Sequence, residues 1–223
     1  MDNEISTVFS TAYLPPIEYL LVFLQSDNPY IEANEHFIKQ SYRNRCLIPT
    51  ANGVLNLSIP VAKNGLHHCP IQAVQLDYSQ PWQRTHWRAL ETAYNTSPFF
   101  LYYRDYIEPF FVQQQIQTLW EFNQKLFDTV LKLLGITKSY AYTTCYKASY
   151  DDSVLDLRQE IHPKKRTEKK YPYRELIPYR QVFFNRFGFI PNMSCLDLLF
   201  NEGKWAKTYL MNEMAKQQTR CCE

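Results

Sequence analysis

The stretch KQSYRNRCLIPTANGVLNLSIPV, residues 39–61, opens as a dense polar cluster and closes as a hairpin. Residues 46–48 and 54–61 are β-prone runs, and Asn52-Gly53 between them is a strong short-range hairpin signal. Both central residues of a type I′ turn need positive φ, which Asn and Gly tolerate best. Read back from the hairpin, an extended segment places Lys39, Ser41, Arg43 and Arg45 on one face and Gln40, Tyr42 and Asn44 on the other. Lys39, Arg43 and Arg45 on a rigid strand pair suit an anion, Arg especially, through bidentate contacts to phosphate or carboxylate. The competing reading is a solvated face paired with local carboxylates.

Working outward, residues 7–12 read as a buried strand, stopped by Pro15-Pro16, which suits the opening of a helix over 17–25. Strand, Pro-Pro turn and helix make an α/β beginning. The free N–H groups of that helix offer an anion site without glycines, or simply a rigid turn. Residues 30–32 and 71–76 read as strands. Trp82, His86, Leu90 and Ala93 fall at helical spacing before Ser97-Pro98. Val112, Ile116, Leu119, Leu126, Val130 and Leu133 continue as one long amphipathic helix ended by Gly135, with Asn123 breaking its apolar stripe. Residues 140–147 and 181–184 suit strands and 153–161 a short helix. Ser194 and Asp197 form a capping-box-like pair ahead of Gly203, and 205–214 suit a terminal helix. The expected fold is α/β: one domain over residues 1–215, with a mixed central sheet flanked by helices and a frayed tail at 216–223.

Composition sets limits. The 223 residues are 45% hydrophobic, enough for a full core, and 17 Tyr among them suit clefts for polar ligands. A net charge of +2 argues against a DNA or RNA footprint. The basic stretch over 162–174, with Lys164, Lys165, Arg166, Lys169, Lys170 and Arg174, reads as a solvated loop or as a cover for a phosphate-bearing ligand. The N-terminus carries no basic-then-apolar leader and the longest apolar run is too short for a bilayer, so the reading is cytoplasmic, without membrane insertion. Six cysteines without a CxxC pair are read as reduced thiols. Five scattered glycines build neither a Walker loop nor G-x-G-x-x-G. His67, His68 and Cys69 are consecutive and diverge, so no metal site is expected, and no cofactor is indicated.

KQSYRNR with its hairpin, YLPPIEYL (13–20), WQRTHWRALETAYNTSPFF (82–100) and FFNRFGFIPNMSCLDLLFNEG (183–203) together resemble the WbqC-like family of bacterial proteins. The resemblance implies a setting in O-antigen and other surface-polysaccharide synthesis, and a glycyl or aminoacyl transferase role. It carries no catalytic residues over. Residue chemistry supplies the roles. His86 is the candidate general base, its ordinary pKa lying near neutrality; the alternative is a hydrogen-bonded core histidine. Lys39, Arg43 and Arg45 would hold a phosphate or carboxylate, Asn44 would orient the substrate, and Gln40 and Trp82 would line the site. Tyr13, Tyr42, Tyr94 and Tyr102 would meet sugar hydroxyls or a base. The expected partner is a phosphorylated or sugar-nucleotide small molecule, together with a pathway enzyme. The rival is a non-catalytic nucleotide- or glycan-binding assembly protein.

Overall fold

The computed structural model describes residues 6–62, 68–112, 116–165 and 176–220. β1 (Ser6–Ser10) leads through the Pro15-Pro16 turn into α1 (Ile17–Gln25), and β2 (Asn28–Glu32) returns parallel to β1. Two short strands complete the sheet: β5 (Ala141–Tyr142) beside β2 and β6 (Val154–Asp156) beside β1. Every pairing in the order β5-β2-β1-β6 is parallel. The hairpin, β3 (Arg45–Thr50) and β4 (Gly53–Ser58), forms its own antiparallel sheet. The α/β class with flanking helices therefore stands, but the mixed sheet resolves into two sheets. Phe9 of β1 packs on Tyr19 and Phe23 of α1, with ring centroids 4.8 and 6.1 Å away, so α1 covers that face.

The helical half comprises α2 (Trp82–Tyr94), α3 (Phe100–Ile107), α4 (Pro109–Val112), α5 (Leu119–Leu133), α6 (Phe184–Phe187), α7 (Cys195–Glu202) and α8 (Ala206–Arg220). Asn123 on α5 acts as a structural tie: its Nδ2 donates to the Arg43 carbonyl at 2.8 Å and to Thr11 Oγ1 at 3.2 Å. The long helix expected from Val112 onward is divided. Thr118 is not helical; its side chain accepts from the Glu121 N–H as the N-cap of α5, while Gln75 bridges to it.

Other expectations are corrected by tertiary pairing. Residues 153–161 contribute β6 rather than a helix, because β1 offers them an open parallel edge. Residues 71–76 form a 3-10 turn at Ile71–Ala73, with single bridges from Gln75 and Leu76. Gln181 lies in a turn before α6, and only two residues of 140–147 pair as a strand. In the hairpin only Gly53 carries positive φ, +103°, so the turn is centred on Ala51-Asn52 and is not type I′. Residues 39–44 are turns rather than a strand. Gln40 takes φ +60°, Ser41 Oγ donates to the Ile38 carbonyl, and the expected two-faced alternation is lost.

Ser194 caps α7 as expected, accepting from the Leu196 N–H at 3.3 Å. Asp197 does not complete a capping box. It is fully buried, accepting from Tyr179 at 2.5 Å, Gln181 Nε2 at 2.7 Å and Asn201 Nδ2 at 3.3 Å, and so ties the 179–190 segment to α7. Gly203 ends α7 at φ +56°, and a Cβ there would stand 2.4 Å from the Phe99 ring. Gly203→Ala is expected to cost about 2–4 kcal/mol, since left-handed strain and a ring clash add. A lowered urea midpoint at unchanged slope would register it.

Candidate functional site

Two polar neighbourhoods stand out, and residues 43–45 join them. The first lies at the foot of the hairpin. Tyr13 follows β1 and precedes Leu14, whose φ of +46° is strained for a residue with a Cβ. The Tyr13 hydroxyl and His86 Nδ1 share a hydrogen bond at 2.9 Å, and the same hydroxyl meets the Cys46 thiol. His86 is 4% exposed among Trp82, Phe111 and Tyr13 rings. Burial pushes its pKa down to about 4, against the pull of a hydrogen bond to the Ser58 backbone. At neutral pH the ring is uncharged and sealed from solvent. Ser58 pairs with Arg45, and Asn44 exchanges two hydrogen bonds with Ile59. Trp82 Nε1, Asn44 Oδ1 and Arg45 Nε are buried here without a partner, two donors and one acceptor in one neighbourhood.

The expected anion site at the start of α1 is closed. Ile17 N–H donates to the Met193 carbonyl and Glu18 N–H to Asn192 Oδ1, so the chain before α7 occupies the positive end of that helix.

The second neighbourhood sits beyond the carboxyl ends of the parallel strands, where open α/β sheets place their ligands. Arg43 is 1% exposed and grips Glu35 with two parallel bonds, Nε to Oε1 at 2.9 Å and Nη2 to Oε2 at 2.5 Å. Its Nη2 also donates to the Arg158 carbonyl at 3.2 Å. Arg158 in turn holds Asp156 through Nε at 2.9 Å and Nη2 at 2.6 Å, and reaches Glu32 at 3.3 Å. Tyr146 and Tyr150 flank its guanidinium at 5.1 Å each. Glu32 is completely buried and also accepts from Thr143 Oγ1 at 2.5 Å and the Asn34 N–H at 2.8 Å.

Three carboxylates thus face two guanidiniums. Burial raises the Glu35 pKa and outweighs the opposing pull of Arg43. Burial also pushes Asp156 up, but the hydrogen bonds from Arg158 win and hold it below the usual carboxylate range. Two carboxyls whose environments move them apart are the pattern of an acid–base pair. Glu35, Asp156 and Arg158 open onto a cleft of about 170 Å³ that His36 and Gln159 complete. A buried ion-pair network is a poor way to stabilise a fold, since desolvation offsets most of the attraction. A cleft at its edge supplies a reason to keep it.

The residues named from sequence are therefore distributed. Tyr13, Trp82 and His86 come together at the hairpin foot, where His86 bonds the Ser58 backbone, Ser58 pairs with Arg45 and Asn44 bonds Ile59. Tyr42 is 2% exposed, its carbonyl accepting from the Tyr13 N–H. Arg43 turns into the charged network. Tyr94 is fully buried against Phe200, whereas Lys39 and Gln40 are exposed and Tyr102, at 73%, projects from α3. His68 packs edge-on to His36 at 5.6 Å. Among the described residues no three His, Cys, Asp or Glu side chains stand together as metal ligands. Most of the basic stretch, residues 166–174, lies outside the described residues. Sequence reasoning missed Glu32, Glu35, Asp156 and Arg158. The available signal was two glutamates, in YIEANEHF, immediately after an apolar strand.

The sequence model of the WbqC-like protein family matches residues 11–168, a span that contains both neighbourhoods. The chain belongs to the WbqC-like family. It is also 26% identical over 225 residues to the "Uncharacterized protein Rv1507c" of Mycobacterium tuberculosis (strain ATCC 25618 / H37Rv), covering 91% of this chain and 96% of the relative. No solved structure matches. Among the described residues no helix is long and apolar enough to cross a membrane.

Proposed function

We propose that this WbqC-like protein is a transferase of bacterial surface-polysaccharide synthesis, working in the cytoplasm and moving a small group, glycyl or another aminoacyl unit, onto a sugar or sugar nucleotide. The observation that carries the reading is the buried Glu32–Arg158–Asp156 and Glu35–Arg43 network opening on a cleft at the carboxyl ends of a parallel sheet. The setting comes from the family resemblance. In this reading Glu35, its pKa raised by burial, takes the proton from the acceptor hydroxyl or amine as that oxygen or nitrogen bonds to the acyl carbon. The bond from the acyl carbon to the donor's carrier breaks, and the carrier leaves with the electron pair and takes up the proton from Glu35. Asp156 and Gln159 meet the acceptor's hydroxyls at the cleft mouth. Asn44 and Arg45 keep a substrate-binding role: the unpartnered Arg45 Nε donates to an oxyanion, and the unpartnered Asn44 Oδ1 accepts from a substrate hydroxyl or amine and so orients it. His86 serves by fixing Tyr13.

A thermal-shift screen against sugar nucleotides, nucleotides, aminoacyl donors and amino acids tests the reading. A ligand that binds the folded state raises Tm with concentration. At least one sugar nucleotide is expected to do so, with the shift reduced in Asp156→Asn and unchanged in Lys39→Ala. Mass spectrometry of the hit with candidate donors then reads transfer. A shift without any product favours the non-catalytic binding or assembly role, which the sealed position of His86 also supports. No shift with any of these ligands and no transfer to a sugar or sugar nucleotide overturns the proposal.

A further inference from the structure

The two faces of the parallel sheet differ. Phe9 and α1 occupy one. On the other, register sets Val8 beside Tyr30 and Ser6 beside Val154, and these four line a cavity of about 400 Å³. Parallel sheets ordinarily carry helices on both faces. Here the chain between β5 and β6 lies over the second face instead, and its Lys147 and Tyr150 complete the cavity. Two residues further along the same strands stand Glu32 and Asp156, on this same face and about 7 Å beyond the floor of the cavity. Lys147 Nζ and the Arg158 guanidinium both lie against the Tyr150 ring, at 5.6 and 5.1 Å. Along one sheet face there is thus a tyrosine-walled chamber, then an ammonium, then the carboxylate–guanidinium cluster. The chamber has the volume of a small-ligand site. Tyrosine faces with neighbouring hydroxyls suit a flat ring that carries polar edges, and a lysine at the exit suits a phosphate attached to it.

We infer that this cavity is the base-and-ribose subsite for a nucleoside diphosphate whose sugar end reaches the Glu35–Arg158 cleft; the inference rests on the transferase reading above. Lys147 meets the diphosphate, which supplies the anion contact without a glycine-rich loop. The Lys39–Arg45 stretch is then not required for the nucleotide.

The test is saturation-transfer NMR and fluorescence titration of the full chain with UDP, ADP, GDP and CDP. The corresponding nucleosides and inorganic pyrophosphate are separate arms, and no acceptor or amino acid is added. At least one nucleoside diphosphate is expected to bind. Tyr30→Leu should weaken the diphosphate and its nucleoside alike, by about fivefold or more, as loss of a stacking ring does. Lys147→Ala should weaken the diphosphate and leave the nucleoside unchanged. Val154→Trp, which fills the chamber from its floor, should abolish both while preserving the melting transition, and stands in if Tyr30→Leu fails to fold. The inference is overturned if none of the four binds, if pyrophosphate alone binds as tightly, or if Val154→Trp binds like the wild type. Nucleotide binding as expected with no transfer product removes the transferase reading alone. Transfer to an acceptor without nucleotide, and no nucleotide binding, removes the subsite alone.

Discussion

Arg43→Met is expected to lower stability by about 3–5 kcal/mol, because it leaves the Glu35 carboxylate buried without its partner. A lost salt bridge at the surface would cost a fraction of this. At Glu35 the difference comes from desolvation: the side chains are 1% and 4% exposed, so water cannot replace the guanidinium. The double variant Arg43→Met/Glu35→Gln should recover much of the loss, since an amide is far less costly to bury than a carboxylate. Urea unfolding of the two single variants and the double closes the cycle. Additive losses would mean that Arg43 works mainly by packing. The single variant should also gain stability on acidification, because protonating Glu35 removes the unpaired charge.

The second large effect is a pair of opposed pH dependences. His86 has a folded pKa of about 4, below its ordinary value near 6.5. The folded state binds fewer protons in that interval, so the contribution is fully present above pH 6.5. About 3 kcal/mol of it is lost as pH falls to about 4. Asp197 runs the other way. Burial raises its pKa to about 6 against the donors Tyr179 and Gln181, so the folded state binds more protons than the unfolded. Its contribution is present below about pH 4, and about 3 kcal/mol is lost as pH rises to about 6.

The two largely cancel in the wild type between pH 4 and 6, and single variants separate them. His86→Gln should lose less stability than the wild type on going from pH 6.5 to 4. Asp197→Asn should lose more. Taking each variant's difference from the wild type at every pH cancels the other titrating groups. Parallel curves for all three proteins would mean that neither group carries the shift.

The sulfur chemistry points away from reactivity in the core. Cys46 and Cys195 are fully buried beside Tyr13, and burial pushes both thiols up, Cys195 to about 12. A thiolate is the nucleophile in cysteine chemistry, so neither is poised as one.

Local signals in the chain were enough to place α1, α2 and the Ser194 cap, because Pro-Pro, helical spacing and a capping serine act within a turn of the residues they organise. The hairpin and the α/β class were legible for the same reason, and so was the structural role open to Asn123, since a buried amide in an apolar stripe must find partners. Residues 154–156 carried no comparable signal: they became a strand only because β1 presented an unpaired parallel edge to them. The polar cluster over 39–45 reads from sequence as a two-faced strand with its cations on one side, but a left-handed Gln40 and the Ser41 bond to Ile38 turn those cations in different directions. The carboxylates that set the electrostatics come from the ends of β2 and β6, some 120 residues apart in the chain. Residue order along the chain carries the family, the fold class and the supply of Arg, Glu and Tyr. Which charges are buried together follows from packing, because desolvation and pairing depend on neighbours that parallel strand register brings side by side.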